Sequence, residues 1–308
     1  MKQLVIPFRK TEKQNKPHHA DKRTGKQRAI SWGFLAPSVA GVFLFFVAPF
    51  FVVIYYSLIN NVVRREFVGL SNFIRTIENN AFKLAAVNTM KFSLIAVPLA
   101  VVLSLLLAIV LMSRIPMKST FRSFFLSPLM VPVASVVLIW QILFNYNGLV
   151  NDIVAVFGVD KIDWLKSPHA QVAIILLFLW KNLGYNMILF MAALASVPQD
   201  LIEVAKLEGA NDFQIFYIVK LRFISSTILF VTIMSLINSF KVFREIYLMT
   251  GDYPYDSLYM LQHFMNNTFQ ALDYQRLSAA AILMALVMIV IIAVLMKTED
   301  KFEKDIEE

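Results

Sequence analysis

There is no cysteine anywhere in the 308 residues, and only 16% of them are charged. The first absence excludes disulfides, thiol nucleophiles and Cys-ligated metal sites within the chain. The four histidines, His18, His19, His169 and His263, stand at no spacing that suggests a metal site. No serine sits in a nucleophile elbow. The phosphate-cradling pattern G-x-x-x-x-G-K-[ST] is also missing. The only Gly-Lys pair, Gly25-Lys26, lies in polar sequence without the earlier glycine. ATP-driven work would therefore need a partner that hydrolyses the nucleotide. The scarcity of charge, set against 58% hydrophobic residues and a mean hydropathy of +0.64, leaves too little polar surface to cover a soluble protein of this length. Apolar runs must face lipid.

Six runs reach spanning length, since about 20 apolar residues cross a bilayer. They lie near 33–58, 92–112, 124–146, 172–194, 224–250 and 277–296. A helix satisfies its own backbone in lipid, and the alternating segments of a β-barrel are not seen, so the sequence predicts an all-α membrane protein with about six transmembrane helices. Residues 1–30 hold nine Lys/Arg, a tail that fits a cytoplasmic anchor facing anionic lipid better than a nucleic-acid arm. With that tail inside, the inner segments carry nine, three (Arg114, Lys118, Arg122), three (Lys206, Lys220, Arg222) and three (Lys297, Lys301, Lys304) basic residues. The outer loops carry four, two and one. Eighteen against seven predicts both termini in the cytoplasm. The basic region and the apolar run behind it are both too long for a cleaved signal peptide. The expected organisation is a basic tail at 1–30, a membrane domain at 31–296 and a charged cytoplasmic tail at 297–308. Pro37, Pro49, Pro98, Pro128 and Pro132 fall inside spans, where each can bend a helix. Transport proteins use such bends, and ordinary membrane helices tolerate them too.

Between the fourth and fifth spans, residues 196–222 form an inner loop too polar to span. Asp200 follows Pro198 and could cap a short helix, with Glu203 three residues later completing a capping pair. Gly209 interrupts that helix where a bare backbone permits a turn, and Phe213 and Phe216 offer aromatic surface beyond it. A short charged helix, a glycine and exposed aromatics suit docking to a partner. They also suit an amphipathic helix lying on the membrane. Within the fourth span, Lys181 lies near mid-bilayer, and Asn182 and Asn186 share a helix face. These asparagines could line a solute path, while Lys181 could pair with backbone or another helix. In the fifth span, Asn238, Lys241 and Glu245 repeat at helical spacing with Arg244 beside them. They could meet a hydroxyl-rich or anionic solute. Alternatively, Lys241 and Glu245 neutralise each other while Arg244 snorkels outward.

The loop resembles the EAA loop of ABC-importer permeases of the carbohydrate-uptake family, roughly E-A-A-x-x-D/E-G-A followed by an aromatic, an isoleucine and L-P. Glu203, Ala205, Glu208, Gly209, Ala210, Phe216 and Leu221 match. Val204, Val219 and Arg222 depart, the last standing where proline is usual. Further matches run along the chain in order: 67–73 (F-x-G-L-x-N-F), Asn88-Thr89, 121–128, Pro132, Trp140, 147–151, 163–165, Trp180-Lys181 and 239–251. The resemblance implies a MetI-like permease fold in a bacterial plasma membrane. It implies a transport subunit, not an enzyme, with ATP and Mg²⁺ bound by two cytoplasmic ATPases that dock on the loop. Glu203, Ala205, Glu208, Gly209, Ala210, Phe213 and Phe216 would form the coupling surface. A second permease would complete the pathway, and an extracellular binding protein would deliver a sugar or oligosaccharide, acidic ones included. Asn182, Asn186, Asn238, Lys241, Arg244 and Glu245 are the candidate path residues. A glycerol-phosphate or other polyol importer of the same build is one alternative, and an ion-coupled secondary transporter is another of a different class.

Overall fold

The computed structural model describes residues 25–113 and 116–307, with side-chain surroundings from Ile30 to Glu299. The basic tail before Gly25 and the loop residue Arg114 lie outside the described residues. The chain divides into two compact units, 1–52 and 53–308. The described residues of the first form a single helical run. α1 (Gly25–Val42) passes through a π turn at Phe43–Val47 into α2 (Ala48–Ser57). The wide turn lies immediately before Pro49, whose ring would clash with a carbonyl four residues back in a regular helix.

The second unit is a helical bundle; among the described residues it contains no strand, only one isolated bridge, Ile59 to Phe67. α3 (Ser71–Glu78) precedes α4 (Asn80–Met112), which Asn79 caps by accepting from the Ala81 and Phe82 amides. α4 starts twelve residues before the apolar run predicted at 92–112, because helix continues through the polar stretch around Lys83 and Lys91. At 1.5 Å per residue it is about 50 Å long, well beyond the hydrocarbon core. α8 (Ala170–Ala195) agrees with the predicted fourth span within two residues.

α4 and α8 form the central pair. On α4, Ala96, Ala100, Ser104 and Ala108 recur every fourth residue and are 0% exposed. Small side chains at that spacing let two helix backbones approach closely in lipid, where no hydrophobic force drives them together. Phe92 fills the gap beyond, edge-on to Phe178 of α8 at 5.6 Å.

The third predicted span, 124–146, is not one helix. α5 (Lys118–Leu126) runs through a 3₁₀ turn at Ser127–Leu129, and α6 (Val133–Leu143) leaves at 101° to it. Pro128 sits in that turn and Pro132 caps α6, so the two prolines that mark the break also supply it. Among the described residues, five helical stretches are long and apolar enough to cross a membrane alone, or six with this bent pair. α7 (Leu149–Val156) follows. The fifth predicted span is also interrupted: α12 (Ser225–Phe240) stops, Lys241 and Val242 form a turn, and α13 (Phe243–Thr250) resumes. α14 (Leu261–Gln270) is a short helix ahead of α15 (Tyr274–Glu307). The backbone of the charged segment from Lys297 to Glu307 therefore continues the last helix. In α14, His263 is fully buried against Phe243, and burial lowers its pKa to about 4, so it is neutral at physiological pH.

Gly184 of α8 is where the bent third span comes closest. A Cβ there would lie 1.8 Å from the Phe125 carbonyl oxygen, which is backbone and cannot swing away. Gly184→Ala must therefore push α5 off α8. The expected loss is about 1–3 kcal/mol, read as a fall of several degrees in the detergent melting temperature. Gly33→Ala, with nothing within 4 Å of its new methyl, should leave that temperature unchanged.

Candidate functional site

The 196–222 loop folds as α9 (Gln199–Leu207), a turn at Gly209, α10 (Asp212–Gln214), a π segment (Ile215–Lys220) and α11 (Leu221–Phe223). The Asp200–Glu203 capping pair expected from spacing is not formed. α9 begins after Pro198 with no side-chain cap, and Asp200 simply lies in the first turn, where the helix dipole favours a carboxylate. The capping box is instead one element later. Asn211 accepts from the Gln214 amide at 2.8 Å, and Gln214 accepts from the Asn211 amide at 2.9 Å. Gly209 takes φ +85° and donates to the Lys206 carbonyl, while Ala210 donates to Ala205, both at 3.0 Å. This closes the helix in a Schellman motif that requires a left-handed residue.

The loop has two faces. Inward, Ile202 and Val219 pack on a cluster that holds Val197, Ile224, Val231, Ala108, Met187 and Phe190. α9 thereby reaches this cluster through Ile202 and rests on the π segment. Outward, Glu203 and Glu208 are exposed and form no ion pair among the described residues. Around them Val204 is 54% exposed, Leu207 89% and Phe213 74%. The Phe213 and Tyr217 rings stack at 6.5 Å and 7°. Ala205, Ala210 and Phe216 are half-buried, behind this surface. Leu207 and Tyr217 belong to the outer face but were not singled out from sequence; the i, i+4 spacing of Phe213 and Tyr217 was the signal for the second. Arg222 keeps the backbone donor that a proline would remove. A turn at Ile224 separates α11 from α12, bridged by Ile224 donating to Lys220 and Ile228 to Ile224.

The six candidate path residues separate into two groups. Asn238 donates to Asn182 at 3.0 Å, Asn182 to the Phe178 carbonyl at 2.7 Å, and buried Asn186 to Ser235 at 3.0 Å. Ser93 and Ser239 add a hydroxyl pair at 2.8 Å. These bonds fasten α12 to α8 and α4, so the three asparagines are engaged with protein. Glu245 is buried and forms an ion pair with Lys181 of α8. The Lys241–Glu245 pair offered by spacing is thus not made, because the turn at Lys241 carries that side chain out of register with α13. Lys241 and Arg244 are exposed and without carboxylate partners among the described residues. No group of His, Asp and Glu among the described residues could hold a metal ion.

Lys181→Met strands the buried Glu245 carboxylate, whereas Glu245→Leu leaves Lys181 with 27% of its side chain exposed. Lys181→Met should therefore destabilise by about 3 kcal/mol and Glu245→Leu by less, with the double variant below the sum. Melting curves of the three variants in one detergent would show it, and additive losses would refute the pairing.

Residues 96–307 match the family described as binding-protein-dependent transport system inner membrane component. The trehalose/maltose transport system permease protein MalF of Thermococcus litoralis is 30% identical over 84% of this chain and 90% of its own length. The lactose transport system permease protein LacF of Rhizobium radiobacter is 28% identical over 78% of this chain and 83% of its own. Among solved structures, a chain of a bacterial ABC transporter involved in import of the acidic polysaccharide alginate superposes with a TM-score of 0.76. It is 19% identical, over 90% of this chain and 96% of that one, so the fold is shared. A family match over more than half the length, carried by a bundle of this shape, settles the relationship: the chain belongs to the binding-protein-dependent transport system inner membrane component family.

Proposed function

We propose that this protein is one of two membrane subunits of an ATP-driven importer of a sugar or oligosaccharide in a bacterial plasma membrane. The observation that carries the reading is the two-faced loop. Its outer face offers Val204, Leu207, Phe213 and Tyr217 with the free carboxylates Glu203 and Glu208, a surface an ATPase subunit would cover. Its inner face is built into the packing of α4, α8 and α12, so displacement of α9 moves spans. ATP and Mg²⁺ would bind the two ATPases, and their closure would turn the cavity outward by rigid-body motion. A binding protein outside would hand over the solute. Permeases named for trehalose/maltose and lactose among the relatives support the sugar class. So does an alginate transporter solved with its pentasaccharide-bound periplasmic protein, which shares the fold.

Within that class the exposed cations favour an acidic solute. Glu245 is occupied by Lys181, so neither Lys241 nor Arg244 is neutralised among the described residues. At the turn between α12 and α13 both would face a cavity completed by the second permease.

Two outcomes test this reading. Leu207→Asp and Phe213→Asp should cut co-purification of the ATPase at least tenfold and stop uptake, with elution of the membrane subunits unchanged; uptake that survives ATP depletion would overturn it in favour of ion coupling. Lys241→Gln with Arg244→Gln should lower uptake of a uronate oligosaccharide about tenfold, roughly 1.4 kcal/mol, and leave a neutral maltodextrin unaffected. Equal effects on both would remove the acidic preference.

A further inference from the structure

A cleft of about 440 Å³ opens between the start of α12 and the end of α15, directly behind the coupling loop. At its loop end stand Arg222, Tyr217, Ser225 and Glu299. Deeper, six and seven residues past Arg222, the wall becomes Ile228 and Leu229, and Leu295 faces it one turn back along α15. At 1.5 Å per residue the aliphatic wall lies about 9 Å further into the bundle than the arginine. Thr232, deeper still, gives its hydroxyl to the Ile228 carbonyl at 2.7 Å, so its polarity is already satisfied. Arg222 and Glu299 line one cleft but form no ion pair with each other. A guanidinium prefers a phosphate in bidentate geometry, and a carboxylate accepts from an ammonium. Arg222 is also one of the three positions at which this loop departs from the pattern it resembles.

We propose that this cleft binds one phospholipid with a zwitterionic aminoethyl-phosphate headgroup. The phosphate meets Arg222 and the hydroxyl of Ser225. The primary ammonium meets Glu299, and an acyl chain lies along Ile228, Leu229 and Leu295. A purely anionic headgroup would be drawn to Arg222 but repelled by Glu299. A choline headgroup could not donate hydrogen bonds to the carboxylate. A soluble phosphate ester would leave the aliphatic wall uncovered. The lipid would stiffen the junction through which the loop moves α12.

The test is native mass spectrometry of the full-length chain, released from membranes with the subunits that hold it. It is delipidated and then offered phosphatidylethanolamine, phosphatidylcholine and phosphatidylglycerol at equal concentration. One phosphatidylethanolamine should be retained per chain, several-fold above the other two. Arg222→Gln should abolish the retention. Glu299→Gln should move the preference toward phosphatidylglycerol, a change of sign that misfolding would not produce. Glycerophosphoethanolamine, which lacks acyl chains, should not compete at tenfold excess. Indifference to headgroup, or retention unchanged in both variants, would overturn the proposal. So would full competition by the soluble ester, or photocrosslinks from position 295 that reach another membrane subunit and not lipid.

Discussion

Close contact between α4 and α8 is the constraint from which the rest of the second unit follows. Lipid tails are as apolar as leucine, so two spans gain little by hiding leucines from them; they gain by bringing backbones near and by bonding across the contact. Ala96, Ala100, Ser104 and Ala108 provide the first, and Asn186–Ser235 with Ser93–Ser239 provide the second by drawing α12 in. Ser104 shows the compromise in one residue. It is small enough for the contact and returns its hydroxyl to the Ala100 carbonyl at 2.6 Å, leaving no unsatisfied group in the seam. Gly184 extends the same logic to α5, where even a methyl is too large.

That arrangement was only partly legible in the sequence. Hydropathy located α8 within two residues, because a span must be apolar for its full depth. It could not see the first twelve residues of α4, whose polarity is allowed outside the hydrocarbon. It could not see the two breaks either. A proline pair marks the 101° bend between α5 and α6, yet Pro98 lies inside unbroken α4, so proline alone does not predict a break. The turn at Lys241 carries no proline or glycine at all. The four-residue ladder of Ala and Ser on α4 holds no glycine pair, yet its spacing stands in the sequence.

The motif residues noticed along the chain prove to be physical pins more than chemical groups. Asn72 donates to the Ser57 and Ile59 carbonyls at 3.0 and 2.8 Å, holding the segment after α2 against α3. Thr89 accepts from the Leu261 amide at 2.9 Å, tying the start of α14 to α4. Asn151 donates to the Ile162 carbonyl and accepts from Trp164, closing the loop after α7. Each side chain satisfies backbone groups that irregular segments leave open. These residues serve the scaffold. The asparagines of α8 and α12 belong with them, whereas Lys241 and Arg244 bond to no carboxylate among the described residues.

The same division explains how a surface loop can work on buried helices. A lever must be stiff where it is pushed and rooted where it acts. Gly209 and the Asn211–Gln214 box fix the shape of the loop with backbone bonds, so its stiffness does not depend on the partner. Ile202 and Ile224 root it in the α4–α8–α12 packing, where protein interiors transmit displacement in preference to absorbing it. At the far end of α12 the helix is discontinuous. The turn at Lys241 separates α12 from α13, and α13 is tied to α8 through Glu245 and Lys181. In the proposed importer, motion entering at α9 would reach that turn, beside Lys241 and Arg244, which pair with no carboxylate among the described residues.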